Sequence, residues 1–175
     1  SNAMAAFIIA ISLDIEYEII IKALKTFPGI KRRFSVELKN PKIFIDDYAH
    51  HPSEIESIYN SVKSLYPNKK KLVIFQPHLF SRTRDFLREF AEALEKFDKI
   101  ALLDIYPARE KPINGVSSKS IFDKINNKNK VLIEKSGIPE LLFEDEHELV
   151  ISMGAGDIGD LVETIKKTII DQNEN

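Results

Sequence analysis

The densest group of side chains that could do chemistry lies in the segment IDDYAHHPSEI. Two aspartates, a tyrosine and two histidines fall within six residues there, namely Asp46, Asp47, Tyr48, His50 and His51. The whole chain has four histidines, so an adjacent pair beside two carboxylates favours a binding site. In the alternative interpretation the segment is a plain turn, in which aspartate caps backbone amides. Together with His78 the set could also be a metal centre, although adjacent histidines cannot easily point the same way.

A second candidate is the segment SRTRDFLRE, which begins a predicted helix. It places Arg82 and Arg84 in the first helical turn behind Ser81, which we expect to be the N-cap. Cations at that end oppose the helix dipole, so they are a poor choice for stability alone and favour a bound carboxylate or phosphate. In the alternative, the arginines pair with acidic neighbours on a solvated face. We favour the anion for Arg82 and the surface ion pair for Arg88.

The glycines Gly154, Gly156 and Gly159 of GAGDIG fit a GxGxxG pattern between a predicted strand and a predicted helix, as in a dinucleotide fingerprint. Only 16 residues follow Gly159, so no second strand is available for the acidic residue that binds the ribose in such folds. We therefore expect a glycine turn that lets the backbone approach a ligand, rather than a nicotinamide site. Asp157 has an alternative role as the cap of the last helix. The chain contains no GxxxxGK loop followed by Ser or Thr, so it has anion-binding parts without a phosphate-activating loop.

These segments follow strands in a chain that alternates between strand and helix patterns. Two helical segments are predicted within residues 4–26, the second capped by Asp14, and the strand pair FSVEL and KIFIDDY follows them. From Pro52 onward we predict a helix to about Leu65, the strand KKLVIFQP, the helix SRTRDFLREFAEALEKF, the strand KIALLDIY, the helix SKSIFDKI, the strand KVLIEK, a helical turn in PELLFE, the strand ELVISMGAG and the helix DIGDLVETIKKTIIDQ. This alternation predicts an α/β fold: a three-layer, mostly parallel, Rossmann-like sheet with helices on both faces, preceded by a short helical segment. All the clusters above then lie at the carboxyl edge of the sheet, where ligands bind.

Composition limits the classes of protein to which the chain can belong. With 175 residues and 43% hydrophobic residues, it can form one main domain. A net charge of −2 does not favour nucleic acid as a partner, and no apolar run reaches the roughly 18 residues of a membrane span. The absence of cysteine excludes disulfides and thiolate metal sites and is consistent with a cytoplasmic protein. Ser-Asn-Ala before Met4 resembles an expression scar. The apolar segment AAFIIAISL predicts that residues 4–27 either pack back on the domain or mediate self-association.

The motifs KRRF, DDYAHHPSEI, FQPH-F-SRTRDF, LLDIYPARE and MGAGDIG, in this order and at these separations, resemble the C-terminal domain of the Mur ligases. The resemblance covers essentially the whole chain. The segment NAMAAFIIAISLDI resembles the last helices of the central domain of that family. The resemblance therefore implies two parts: residues 1–30 as an expression scar plus a helical remnant of the central ATPase domain, and residues 31–175 as the Mur ligase C-terminal domain.

The resemblance also implies a reaction, a cytoplasmic step of peptidoglycan precursor synthesis. ATP would phosphorylate the lactyl carboxylate of UDP-N-acetylmuramate, and the amine of L-alanine would attack the acyl phosphate. ATP and Mg²⁺ are the expected cofactors, with the magnesium ligands on the central domain, so the chain alone is expected to be inactive. The N-terminal and central domains of the same protein are the expected partners, with no nucleic acid and no membrane.

Residue roles follow from the resemblance motif by motif. Arg33 and Asp47 would bind ATP, at the phosphates and at the ribose respectively. The amino acid would be bound by Tyr48, His50, His78, Arg82, Gly154, Gly156 and Asp157, and no residue is assigned to a metal. Many family members have an arginine directly after the histidine of QPH, where this chain has Leu79, so a second cation for the alanine carboxylate is missing. The alternatives are a stand-alone nucleotide-binding module built on GAGDIG, a small His/Asp metalloenzyme, and an interaction domain that uses the apolar N-terminal helices.

Overall fold

The computed structural model describes residues 2–144 and 146–174. The chain divides into two compact units, the first ending at Ile30 and the second beginning at Lys31. The assignment of residues 1–30 and 31–175 to two different domains of the family stays a prediction. Within the described residues, no helix is both long enough and apolar enough to span a bilayer.

The first unit is a pair of helices, α1 (Asn2–Ser12) and α2 (Tyr17–Thr26). A groove of about 450 Å³ between them is lined almost entirely by apolar side chains. The predicted cap at Asp14 is wrong. Helix α2 begins after Glu16, whose side chain makes no capping hydrogen bond, and Asp14 lies in the connecting turn with a φ of 55°.

The second unit is built around a six-stranded sheet in the order β1-β2-β6-β3-β4-β5. The strands are β1 (Ser35–Leu38), β2 (Ile43–Asp47), β3 (Lys71–Phe75), β4 (Lys99–Leu102), β5 (Lys130–Leu132) and β6 (Leu149–Met153). The helices are α3 (Pro52–Leu65), α4 (Phe80–Asp85), α5 (Leu87–Leu94), α6 (Ser118–Phe122), α7 (Ile138–Phe143) and α8 (Val162–Glu174), with short 3₁₀ turns at Lys135–Gly137 and Asp157–Leu161. Strand β1 pairs with β2 as an antiparallel hairpin, and the other neighbouring strands are parallel.

Apolar side chains cover both faces of this sheet because successive residues of a strand point to opposite sides. In the fully buried strand β3, Val73 packs in the cluster that contains residues of α3, α5 and α6. Its neighbour Leu72 packs in the second cluster, with residues of α7 and α8. The sheet therefore lies between two layers of helices, which confirms the predicted three-layer α/β fold.

The helix predicted over SRTRDFLREFAEALEKF is interrupted at Phe86, where φ is −118°. Leu79, with a φ of 74°, precedes helix α4, and Ser81 is its second residue rather than its cap. The hydroxyl and N–H of Ser81 instead donate to the carboxylate of Glu110. Helix α4 has only six residues, so Arg82 also lies in its last turn and the dipole argument for an anion loses most of its force.

Candidate functional site

Four loops of unusual polarity follow strands β2, β3, β4 and β6, which are neighbours in the sheet. Because these strands are parallel, their carboxyl ends meet at one edge. The topology thus brings together the segments that begin at Tyr48, Gln76, Asp104 and Gly154, as the sequence predicts.

A row of rings crosses this edge. The ring centroids are 5.5 Å apart for Tyr48 and His50, 6.0 Å for His50 and His78, and 5.7 Å for His78 and Tyr106. Arg82 adds a cation, because its Nη1 lies 3.2 Å from Nδ1 of His78. Three rings of the row, and Arg82 beside it, were predicted to border the amino acid; the fourth ring, Tyr106, was not singled out from the sequence. The signal for Tyr106 was its place in DIYPARE, directly after a strand.

His78 is a neutral imidazole near pH 7. Burial lowers the pKa of its side chain below the ordinary 6.5, and the electrostatic effects of Arg82 and His50 lower it further, against the opposing charge of Glu110. A guanidinium can only donate, so Nδ1 of His78 accepts from Arg82 and the ring proton sits on Nε2. The pair therefore offers the donor Nε2–H beside the remaining donors of the guanidinium.

The two adjacent histidines have separate tasks. His51 is the N-cap of α3: its Nδ1 accepts from the N–H of Ser53 at 3.4 Å, and Glu54 accepts from the N–H of His51 at 3.1 Å. His50 directs its ring toward His78, and its Nδ1 lies 2.9 Å from the carbonyl oxygen of Tyr48. The spacing of Glu54, three residues after His51, was the sequence signal for this capping box.

Asp47 holds the turn after β2. One carboxylate oxygen accepts from the N–H of Phe34 at 2.6 Å, and the other accepts from the N–H of Ala49 at 2.7 Å. Burial raises the pKa of Asp47 above its ordinary value, although these two hydrogen bonds oppose the shift. The side chain is 9% exposed. The capping role is thus present in the structure, and the ribose contact stays a prediction.

Asp46 is buried and paired with an arginine that the sequence analysis did not assign to the site. Its carboxylate accepts from the hydroxyl of Ser152 at 2.6 Å and from Nε of Arg32 at 3.2 Å. Burial raises the pKa of Asp46, and both partners oppose that shift. Arg33, the predicted phosphate ligand, is exposed and makes no hydrogen bond or ion pair with the residues that the structure describes.

The glycine loop packs against the protein itself. A Cβ on Gly154, where φ is 151°, would lie 2.8 Å from the carbonyl oxygen of Gln76. A Cβ on Gly156 would lie 2.5 Å from the side-chain oxygen of Gln76 and 2.6 Å from Cβ of Tyr106. These glycines are therefore needed for close packing at the end of β6, whether or not a ligand approaches the loop.

Asp157 does not cap the last helix. The 3₁₀ turn begins after Gly156, without a side-chain cap. Asp157 instead accepts from Nε2 of Gln76 at 2.7 Å and pairs with Lys135. Burial alone would raise its pKa, but the hydrogen bonds from Lys135 and Gln76 outweigh burial and lower it.

A cavity of about 470 Å³ lies at the same edge, lined by Gln76, Asp157 and residues 104–107 and 134–136. The glycine loop, through Asp157, and the loop after β4 both line this cavity. Within residues 2–144 and 146–174, no three His, Asp or Glu side chains are grouped as a metal would require.

The chain is similar to proteins whose activity is named. The family model of the Mur ligase, glutamate ligase domain, matches residues 32–162. The UDP-N-acetylmuramate–L-alanine ligases of Christiangramia forsetii and Flavobacterium psychrophilum are 52% and 50% identical over 170 residues, which is 97% of this chain and 38% of each relative. The chain thus spans about two fifths of the length of the relatives it matches.

Solved structures give the same result. A UDP-N-acetylmuramate-alanine ligase from Thermotoga maritima matches with a TM-score of 0.77 and 30% identity, over 99% of this chain and 37% of that one. A murein peptide ligase from Psychrobacter arcticus, at 17% identity, matches in fold with a TM-score of 0.67, over 96% of this chain and 36% of that one. These comparisons do not support a stand-alone dinucleotide module or a small metalloenzyme. The chain belongs to the Mur ligase family, and residues 32–162 are its glutamate ligase domain.

Proposed function

We propose that this chain is the C-terminal part of a ligase that joins L-alanine to UDP-N-acetylmuramate with ATP. The observation that carries the proposal is the pairing of Arg82 with neutral His78 in the row of rings at the strand edge. The names of the most similar relatives support this choice of substrates. Residues 31–175 are then the C-terminal domain, and residues 1–30 a remnant of the central domain behind an expression scar. We place the reaction in the cytoplasm.

The amino acid is held by its carboxylate. Nη1 of Arg82 donates to Nδ1 and to the carbonyl oxygen of His78, at 3.2 and 3.4 Å, which leaves the Nε and Nη2 donors of Arg82 for a carboxylate. Nε2–H of His78 is a further donor beside it.

This pair compensates for the family arginine that Leu79 replaces. The N–H of Leu79 donates to the carbonyl oxygen of Tyr106 at 3.0 Å, which ties the loops after β3 and β4 together. Tyr48 and His50 close the other side of the row, where Tyr48 is 42% exposed and open to a ligand. Gly154, Gly156 and Asp157 border the site from β6, through the contacts of their loop with Gln76 and Tyr106.

Residues at the beginning of the domain bind ATP. Arg33 is exposed and has no competing partner among the described residues, so its charge is available for phosphate oxygens. Each oxygen of Asp47 keeps a lone pair beyond its backbone bond, which a ribose hydroxyl can use. Magnesium supplies charge neutralisation at the phosphates, and its ligands belong to the other domains of the protein.

The test uses a protein of the relatives' length that carries this sequence at its carboxyl end. Incubation with ATP, UDP-N-acetylmuramate and L-alanine should yield ADP, phosphate and UDP-N-acetylmuramoyl-L-alanine, and omission of any substrate should abolish the peptide product. The 175-residue chain alone is the control and should release no phosphate above background. Product formation with another amino acid but not with L-alanine would contradict the proposal.

A further inference from the structure

The side chain of Arg32 connects separate loops of the site. Its Nε donates to Asp46 at 3.2 Å, and its two terminal nitrogens donate to the carbonyl oxygens of Gly154 and Gly156, at 2.5 and 3.4 Å. Its guanidinium carbon lies 5.0 Å from the ring centroid of Tyr48. One side chain therefore bonds the end of β2 and the loop after β6.

The backbone beside Arg32 is fixed at the same place. Arg32 and Phe34 have φ values of 59° and 46°, which are uncommon for residues with a side chain. The carbonyl oxygen of Arg32 accepts from the N–H of Tyr48 at 2.8 Å, and the N–H of Phe34 donates to Asp47. Arg33 lies between these two anchored residues, so its position depends on both.

The third glycine of GAGDIG, Gly159, lies directly against the guanidinium of Arg32. A Cβ on Gly159 would lie 2.4 Å from the guanidinium carbon of Arg32, far closer than atoms can approach. The φ of Gly159 is outside the left-handed region, so its backbone could carry any side chain. A side chain at position 159 would therefore have to displace the guanidinium of Arg32 from its hydrogen bonds.

We propose that Arg32 is a positioning residue that couples the two substrate sites. It holds the carbonyl groups of the amino-acid loop, at Gly154 and Gly156, and it anchors the segment that presents Arg33 to ATP. Gly159 serves the reaction only by leaving room for Arg32. This inference depends on the proposed function, because it assigns Arg33 to ATP and the glycine loop to the amino acid.

The first experiment uses the protein of the relatives' length that carries this sequence at its carboxyl end, here called the long enzyme. It measures kcat/KM for ATP and for L-alanine in the Arg32→Lys variant. Lysine keeps a charge for Asp46 but lacks the planar fork that reaches Gly154 and Gly156. We expect kcat/KM for both substrates to fall by roughly tenfold or more, because the charge-assisted hydrogen bonds to Gly154 and Gly156 are lost. Arg88→Lys, an exposed arginine on α5, is the matched control and should be unchanged.

The second experiment displaces Arg32 by a substitution at Gly159, the residue against which its guanidinium packs. Gly159→Ala should displace the guanidinium and reproduce the kinetic loss of Arg32→Lys, whereas Gly137→Ala, whose Cβ would meet its nearest neighbour at 3.9 Å, should not. In melting of the 175-residue chain, Gly159→Ala should cost nothing further once Arg32 is alanine, because coupled sites are not additive.

The outcomes separate the inference from the function on which it depends. A variant at Arg32 that lowers only the melting temperature, or that affects one substrate alone, overturns the coupling role. Additive losses for Arg32 and Gly159 overturn the contact between them. If the unchanged long enzyme makes no peptide product, the proposed function fails instead, and the melting cycle still decides whether Gly159 exists to admit Arg32.

Discussion

Asp47 is predicted to stabilise the domain as well as to bind ATP, and replacement by asparagine separates the two roles. In the structure, both carboxylate oxygens accept from backbone N–H groups, those of Phe34 at 2.6 Å and Ala49 at 2.7 Å. Asparagine has one oxygen and one NH₂ group. Whichever way it is turned, its NH₂ faces one of the two N–H donors, so one bond is lost and that donor is left without an acceptor.

The size of the effect follows from the bond that is lost. A hydrogen bond to a charged group contributes about 1.5–3 kcal/mol, part of which is offset because the neutral amide is easier to bury. We therefore expect a loss of about 1–3 kcal/mol in the free energy of unfolding. For a chain of this size, this corresponds to a fall in Tm of about 2–12 °C.

Two measurements on Asp47→Asn decide between the roles. Thermal unfolding of the 175-residue chain, followed by circular dichroism, should show the lower Tm, whereas replacement of Asp104, an exposed aspartate in the loop after β4, by asparagine should not. In the long enzyme, the KM for ATP should rise more than the KM for L-alanine. An unchanged Tm would refute the capping argument, and an unchanged KM for ATP in the folded enzyme would refute the ribose contact.

Two further predictions concern the row of rings and the first unit. In an NMR titration the imidazole of His78 should have a pKa below 6.5, and Arg82→Ala should raise it because the charge of Arg82 is removed. Because the pKa of His78 is lower in the folded state than in the unfolded chain, its contribution to the free energy of unfolding is present above pH 6.5 and is lost as the pH falls through the folded-state pKa. The variant His78→Gln should not show this pH-dependent loss of stability. A folded-state pKa at or above 6.5 would contradict the assignment. A chain that begins at Lys31 should fold with a similar Tm and self-associate less than the 175-residue chain in light scattering, because it lacks the exposed apolar residues of α1 and α2. An unfolded circular dichroism spectrum for this shorter chain would show that the boundary is wrong.

The fold could be predicted because its signal is spread over the whole chain. Apolar runs of five residues between amphipathic segments have few other solutions than a parallel sheet between helices. Local interruptions carry no such signal. The 3–4 spacing of apolar residues continues through Phe86 and Leu87, so nothing in the periodicity of the segment predicts that the helix breaks there.

The site could be located but not fully assigned. Strand ends place the clusters at one edge, but the capping box of His51 and Glu54 was not predicted, because histidine is not among the residues that usually cap a helix. The role of Arg32 could not be predicted from the sequence, because it depends on positive φ values and on a contact with Gly154, which lies 122 residues further along the chain. The glycines of GAGDIG likewise match a ligand-binding pattern, although the structure uses them for packing against Gln76, Tyr106 and Arg32.

The most direct test of the account is the kinetics of Arg82→Ala in the long enzyme, with Arg88→Ala as the exposed control. Loss of one charge-assisted contact to the alanine carboxylate should cost roughly 1.5–3 kcal/mol in kcat/KM for L-alanine. The account predicts this loss with little change in the KM for ATP, and no effect of Arg88→Ala. An unchanged dependence on L-alanine, together with an altered dependence on ATP, would contradict it, because Arg82 would then belong to the nucleotide and not to the amino acid.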